Sequence, residues 1–257
     1  MVKTFYCTYL SNEIRKRQRM EKENKWVVVT GGSKGIGRAV VEAFMAEGFN
    51  AIVCARNVID LAQMKTELES KFINQSILTV DCDVSKKSGC ERLSQFVHEN
   101  ISSLAVLVNN AGYFLPGQVH NEQEGVLESM METNLYSAYH VTRALLPLIV
   151  PQQDGHIFTI CSTASIMPYV NGGSYCISKF ALYGFTKVLR EEMKSYGIKV
   201  TAVLPGATLT ASWEGVDLPK ERFMKPEDVA QAVVSCWKLS GQAVVEELLL
   251  RPQLGDI

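Results

Sequence analysis

The chain lacks the features that mark several broad classes of protein. It has only four histidines in 257 residues (His98, His120, His140 and His156), scattered without metal-ligand spacing, so they read as structural and no metal site is expected. Its seven cysteines, at positions 7, 54, 82, 90, 161, 176 and 236, are odd in number and include no CxxC pair. Several sit inside apolar runs, where a thiol acts as a small hydrophobe, and this pattern suggests a reducing compartment and a cytoplasmic location. The formal net charge is −1, so the chain as a whole is not built to attract nucleic acid. Long hydrophobic runs are missing too. The stretch from Ala144 to Val150 is typical of the longest and falls far short of the roughly 20 residues that cross a bilayer.

What is present is an ordinary globular composition, 47% hydrophobic and 21% charged, with one uneven end. Among the first 25 residues, Lys3, Arg15, Lys16, Arg17, Arg19, Lys22 and Lys25 outnumber Glu13, Glu21 and Glu23. The apolar part, Phe5 to Leu10, is short and precedes the basic cluster, the reverse of a secretory signal. Residues 1–24 therefore read as a poorly packed basic extension, with Met20 an alternative start. A basic arm that contacts a partner or membrane surface is the second reading.

From Lys25 onward, apolar runs alternate with helical patterns. Strands are expected at Trp26–Thr30, Ala51–Ala55, Ile77–Val80, Ala105–Val108, His156–Cys161, Lys199–Leu204 and Ala243–Leu249. Helices are expected at Ile36–Glu47, Ile59–Phe72, about 87–99, about 125–149 as one long helix, about 174–196, and from Pro226 to about Leu239. This order implies a single α/β domain over 25–257. It would be a doubly wound, Rossmann-type parallel sheet of seven strands with helices on both faces. The near-continuous apolar strands fit burial on both faces. The longest stretch without periodicity, Ala207–Lys225, reads as a binding loop or lid.

Two clusters carry chemistry. Thr30-Gly31-Gly32-Ser33-Lys34-Gly35-Ile36-Gly37 joins the first strand to the first helix, the context in which glycines let the backbone approach a pyrophosphate at a helix N-terminus. At the end of the second strand, where an acid would hold an NAD ribose, the chain reads Cys54-Ala55-Arg56-Asn57. Arg56 and Lys34 are two cations that fit the 2′-phosphate of NADPH or NADP+, with no carboxylate to repel it, so NADH is less favoured. Farther along, Tyr175 and Lys179 stand four residues apart on one helix face, with Ser162 thirteen residues upstream. A phenol with a pKa of about 10 is a poor acid or base near neutral pH, and a neighbouring ammonium is expected to lower it. Such a pair alone occurs on many amphipathic helices; the other motifs decide its meaning.

Thr30–Gly37, Asp83-Val84, Asn109-Asn110-Ala111-Gly112, Asn134, Ser162, Tyr175/Lys179 and Pro205-Gly206 together resemble the short-chain dehydrogenase/reductase family in its compact one-domain branch. The resemblance runs from about Lys25 to the C-terminus. It implies that Gly31, Ser33, Lys34, Gly35, Ile36 and Gly37 cradle the cofactor, that Asp83 and Val84 contact its adenine, and that Asn109, Asn110, Ala111 and Gly112 line it. Pro205, Gly206 and Thr208 would pack on the nicotinamide. Tyr175 would be the general acid in reduction and the base in oxidation, and Lys179 would lower its pKa and bind the nicotinamide ribose. Ser162, preferred over nearby Ser165, would polarise the carbonyl, and Asn134 would hold a water linking Lys179 to solvent.

The implied activity is reversible, NADPH-dependent reduction of a small-molecule carbonyl to an alcohol. A catalytically silent NADP(H)-binding sensor or scaffold is the alternative. The substrate pocket is expected from Tyr113–Leu115, Ser165–Tyr169 and the 207–225 loop, with Tyr113, Tyr169 and Trp213 offering aromatic faces to a flat ring or apolar chain. Pterin ketones, 3-oxoacyl thioesters, steroids and sugars all stay open. The C-terminal sequence and that around Pro226 are similar to sepiapterin-reductase-like and 3-oxoacyl-reductase-like members. The resemblance also implies a homodimer or homotetramer; from charge and hydropathy, neither nucleic acid nor membrane is expected as a partner.

Overall fold

Strands rich in valine and isoleucine that are buried on both faces require a helical layer on each side. The computed structural model describes residues 25–213, 215 and 217–257; the basic segment 1–24 lies outside the described residues. Its strands are β1 (Trp26–Thr30), β2 (Asn50–Ala55), β3 (Ile77–Asp81), β4 (Val106–Asn109), β5 (Gly155–Ile160), β6 (Ile198–Pro205) and β7 (Glu247–Leu250). They form one sheet in the order β3-β2-β1-β4-β5-β6-β7, and every pair is parallel. The expected doubly wound, seven-stranded α/β architecture is the one found.

The helices are α1 (Gly35–Ala46), α2 (Val58–Lys71), α3 (Lys87–Asn100), α4 (Val126–Met131), α5 (Ser137–Ile149), α6 (Gly173–Met193) and α7 (Pro226–Trp237). One core lies between the sheet and α1, α2 and α7, where Phe44, Phe49 and Trp237 interlock edge to face and Phe158 packs tilted against Phe44. The second core lies between the opposite face and α3, α5 and α6, built on Leu93, Leu107, Leu145 and Ile157. Both cores are dense in side chains with no exposure, which is where most of the hydrophobic driving force resides.

Two expectations are corrected. The helix expected over 125–149 is interrupted by a π-helical turn at Glu132–Tyr136; apolar periodicity does not reveal an i→i+5 bulge, because each flanking helix keeps its own phase. The final strand is shorter than expected, beginning at Glu247 rather than Ala243. It occupies the sheet edge beside β6.

His156, the first side chain of β5 after Gly155, is buried and stacks on Phe158 at 3.8 Å between ring centroids. Thr201 Oγ1 donates to the Val245 carbonyl at 2.6 Å, so His156 Nε2 must donate to Thr201 Oγ1 at 2.7 Å, leaving Nδ1 bare. Burial, reinforced by the nearby Lys199 charge, holds the imidazole pKa down at about 3. A depressed histidine gives stability that is complete above the unfolded pKa of about 6.5 and is lost as pH falls toward the folded value. Urea denaturation between pH 7 and pH 4 should therefore show a falling midpoint below about pH 6.5, with a shallower fall in His156→Leu.

Candidate active site

The strand order reverses between β1 and β4, and the candidate site forms at the C-terminal ends of these strands. Thr30, the last residue of β1, accepts the backbone N–H groups of Asn110 and Ala111 on its Oγ1, both at 3.0 Å. The Asn110 amide returns two bonds of 2.9 Å to the Thr30 and Gly31 carbonyls. These bonds hold the glycine turn against the end of β4. Gly31 and Gly35 have φ of +63° and +55°, values that favour glycine. A Cβ on Gly37 would stand 2.4 Å from Asn110 Nδ2 and 2.6 Å from the Gly31 carbonyl, so the turn closes only without a side chain there.

The N-terminus of α1 fits a pyrophosphate. Its N-cap, Lys34, makes no side-chain capping bond, and the first turn contains no acid. By contrast, α2 is capped by the Asn57 carboxamide, which accepts from Ile59 and Asp60 N–H groups. The α1 end thus offers N–H groups and the positive end of a helix dipole to an anion. Ser33 is partly exposed at this turn, and Ile36 anchors it on the first core.

Arg56 follows β2 in an exposed position and has no hydrogen-bond or ion-pair partner among the described residues. The expectation of two available cations with no carboxylate nearby is corrected, because Lys34 Nζ is held 2.9 Å from Asp60 Oδ2 in the first turn of α2. Asp83 accepts from Ser85 N–H at 3.0 Å beyond β3, and Val84 is buried with its carbonyl taken by the Cys90 thiol. Asn109 is buried at the end of β4 and donates to Thr142 Oγ1 at 2.8 Å, while its Oδ1 has no partner among the described residues. Across the site, Pro205 ends β6, the Gly206 N–H donates to the Leu250 carbonyl, and buried Thr208 donates to the Gly206 carbonyl at 3.0 Å.

Four side chains meet behind this cradle. Ser162 ends the run after β5, is nearly buried, and hydrogen-bonds through its hydroxyl with Tyr175. Its Oγ also accepts from Ala164 N–H at 3.1 Å, and Ser165 Oγ accepts from the Ser162 N–H. Ser165 has no exposure, so its hydroxyl shapes the turn while that of Ser162 faces Tyr175. Tyr175 lies in the first turn of α6, and Lys179 one turn later is buried with Nζ donating to the Ile160 carbonyl at 2.9 Å. That ammonium stands 5.8 Å from the Tyr175 ring centroid, and the space above Gly112 lies between it and Asn134.

Burial, not the lysine, sets the phenol. It pushes Tyr175 up to about 12 against the opposing pull of the Ser162 hydrogen bond, and it pushes Lys179 down to about 8. The expected lowering of the Tyr175 pKa by Lys179 is corrected on this point, because desolvation is the largest influence on both groups. At neutral pH Tyr175 is therefore a protonated acid.

Asn134 sits in the π-helical turn with no exposure, and its carboxamide is fully engaged. Oδ1 accepts from Tyr113 N–H at 2.9 Å, and Nδ2 donates to the Tyr113 carbonyl at 3.2 Å and to Ser178 Oγ at 2.9 Å. Ser178 in turn donates to the Tyr175 carbonyl at 2.8 Å. The side chain thus braces α6.

The aromatic side chains expected at the pocket have the following neighbours. The Tyr113 hydroxyl pairs with Ser129 of α4 at 2.7 Å, and Phe114 packs edge-on against Tyr175 at 4.9 Å. Tyr169, though its outer face is exposed, is near enough to Tyr175 that partial desolvation and their mutual repulsion raise its own pKa. Trp213 packs on Phe223 at 5.0 Å.

Residues 25–220 match the family model described as short chain dehydrogenase. The chain belongs to the short chain dehydrogenase family. A sepiapterin reductase from Chlorobaculum tepidum is 33% identical over 90% of this chain and 97% of its own. Among solved structures, an alcohol dehydrogenase from the archaeon Thermococcus sibiricus, complexed with 5-hydroxy-NADP, superimposes with a TM-score of 0.85. It is 28% identical and covers 91% of this chain and 99% of its own. L-sorbose reductase from Gluconobacter frateurii, complexed with NADPH and L-sorbose, gives 0.83 at 26% identity, covering 90% and 96%. Among the described residues of this dehydrogenase-family chain, no helix is long and apolar enough to cross a membrane.

Sequence reading missed Ser178 and Glu122. The latter is the less expected. Its Oε1 accepts from Ser174 N–H at 2.9 Å and its Oε2 bonds the Ser174 hydroxyl, so a carboxylate 52 positions away caps the helix that carries Tyr175 and Lys179. No local signal marks such a long-range cap. Glu122→Ala should cost about 1–2 kcal/mol, read from urea denaturation at pH 7.

Proposed function

We propose that the protein is an NADPH-dependent reductase that converts a small-molecule carbonyl to an alcohol, with Tyr175 as the proton donor. The observation that carries this reading is the meeting of Ser162, Tyr175 and Lys179 behind a glycine cradle in a chain of this family. NADP ligands in the similar archaeal and Gluconobacter structures support the cofactor. So do the uncapped, acid-free start of α1 and the unpartnered Arg56 at the end of β2.

Gly31, Gly35 and Gly37 shape the cradle, α1 holds the pyrophosphate, and Arg56 meets the 2′-phosphate. Asp83 and Val84 border the adenosine, Asn109 to Gly112 form the floor, and Pro205, Gly206 and Thr208 form the far wall. When bound, the cofactor supplies hydride. The Ser162 and Tyr175 hydroxyls hold the carbonyl oxygen and stabilise charge as it develops there. Tyr175, kept protonated by burial, delivers its proton to that oxygen. Lys179 places a cation behind the phenol, which eases the loss of that proton. Asn134 keeps Tyr113, Ser178 and α6 in register and acts as a positioning residue. Tyr136, Tyr139, Ile177, Phe180 and Val188 are exposed on α5, α6 and the turn between α4 and α5, a face suited to a second copy of the chain.

The test is NADPH consumption with a panel of carbonyl compounds. Tyr175→Phe should lower kcat by about 10²–10⁴ while NADPH still binds; binding without turnover by the native protein would favour a silent sensor. Arg56→Ala should weaken NADPH about 10- to 100-fold, as expected for loss of a charge-assisted bond, and leave NADH nearly unchanged in fluorescence titration. A native preference for NADH would overturn the role of Arg56.

A further inference from the structure

Two segments leave the candidate active site and are tied together at its mouth. One is residues 113–119, which follows the end of β4; the other is residues 166–172, which follows Ser162 and its short turn. The Gly117 N–H donates to the Asn171 carbonyl at 3.0 Å, and Gln118 Nε2 donates to Asn171 Oδ1 at 2.7 Å. Gly117 and Gly172 form a bridge, and Glu122 fastens the first segment to Ser174. Asn171 takes a φ of +67° to make this junction. The two segments therefore act as one wall.

The wall is apolar and carries no formal charge. Neither segment contains Asp, Glu, Lys or Arg. Phe114 lies on the Tyr175 ring, and Leu115, Ile166, Met167, Tyr169 and Val170 are all exposed, Val170 by 80%. Nearby charges are already engaged: Glu122 by Ser174, and Lys179 by the Ile160 carbonyl. On the loop after β6, Arg222 reaches the Asp256 carbonyl and Lys220 stands in solvent. A carboxylate or phosphate pressed against this wall would lose water and meet no cation on either segment, an unfavourable exchange for an unpaired ion. An aromatic or branched apolar group would instead cover these exposed apolar side chains.

From this we infer that the site takes uncharged carbonyl compounds with an aromatic or bulky apolar group and discriminates against the same compounds when they carry an anion. This inference rests on the carbonyl-reductase reading. It favours neutral ketones and aldehydes over phosphorylated or carboxylated ones.

The test compares methyl 4-formylbenzoate with 4-formylbenzoate, two aldehydes of one shape that differ by a charge away from the reacting carbon. With the full chain and NADPH, kcat/KM should favour the ester by about 100-fold or more, mostly through KM. Met167→Lys should narrow that ratio at least about tenfold, the effect of pairing one buried ion, by improving the acid. Phe114→Ala should raise KM for the ester. Equal turnover of acid and ester, or turnover confined to small or anionic carbonyls, would overturn the inference while leaving the reductase reading intact. NADPH binding with no carbonyl reduced would sink both.

Discussion

The Thr30 hydroxyl accepts two backbone N–H groups at the point where the sheet changes winding direction, and the site depends on this contact. A parallel sheet opens a crevice where successive crossovers leave in opposite directions. Thr30 and Asn110 close its floor with four hydrogen bonds. This fixes the glycine turn, the start of α1 and the Ala111-Gly112 step relative to one another. Gly112 then leaves the narrow space flanked by Asn134 and Lys179. Cofactor cradle and proton donor are thus two sides of one bonded corner.

Desolvation governs the chemistry on the far side of that corner. Desolvation of the partly buried Tyr175 and the buried Lys179 pushes each toward its neutral form, to about 12 and about 8. A lysine near the edge of ionisation is a responsive neighbour, because a small change in its surroundings alters its charge. The phenol meanwhile remains a donor throughout the neutral range. Such a setting suits delivery of a proton better than its removal.

The fold was largely legible in the sequence because its strands are continuous Val/Ile runs and its helices carry single apolar stripes. Trp26–Thr30 was readable to the residue. The glycine turn and the Tyr175/Lys179 spacing were visible because each is local: one needs a strand before and a helix after, the other a single helical turn. What escaped depends on partners far apart in the chain. Lys34 looked available until α2 brought Asp60 to it. No spacing showed that Ser129 would bond the Tyr113 hydroxyl or that Phe114 would stand edge-on to Tyr175. The sign of the Tyr175 shift required knowing how much water is excluded, which no spacing reveals.

The π-helical turn at Glu132–Tyr136 has a bearing on how this stretch tolerates length change. One residue advances an α-helix by about 100°, and the bulge absorbs one such step. Met130 before it faces the core, Asn134 within it faces the site, and Val141 and Leu145 after it face the sheet. Deleting a single residue here would restore a regular helix and swing either the asparagine or the apolar stripe off its target. The stretch is free to vary in composition along its exposed side, yet its residue count is fixed by two clients facing in different directions.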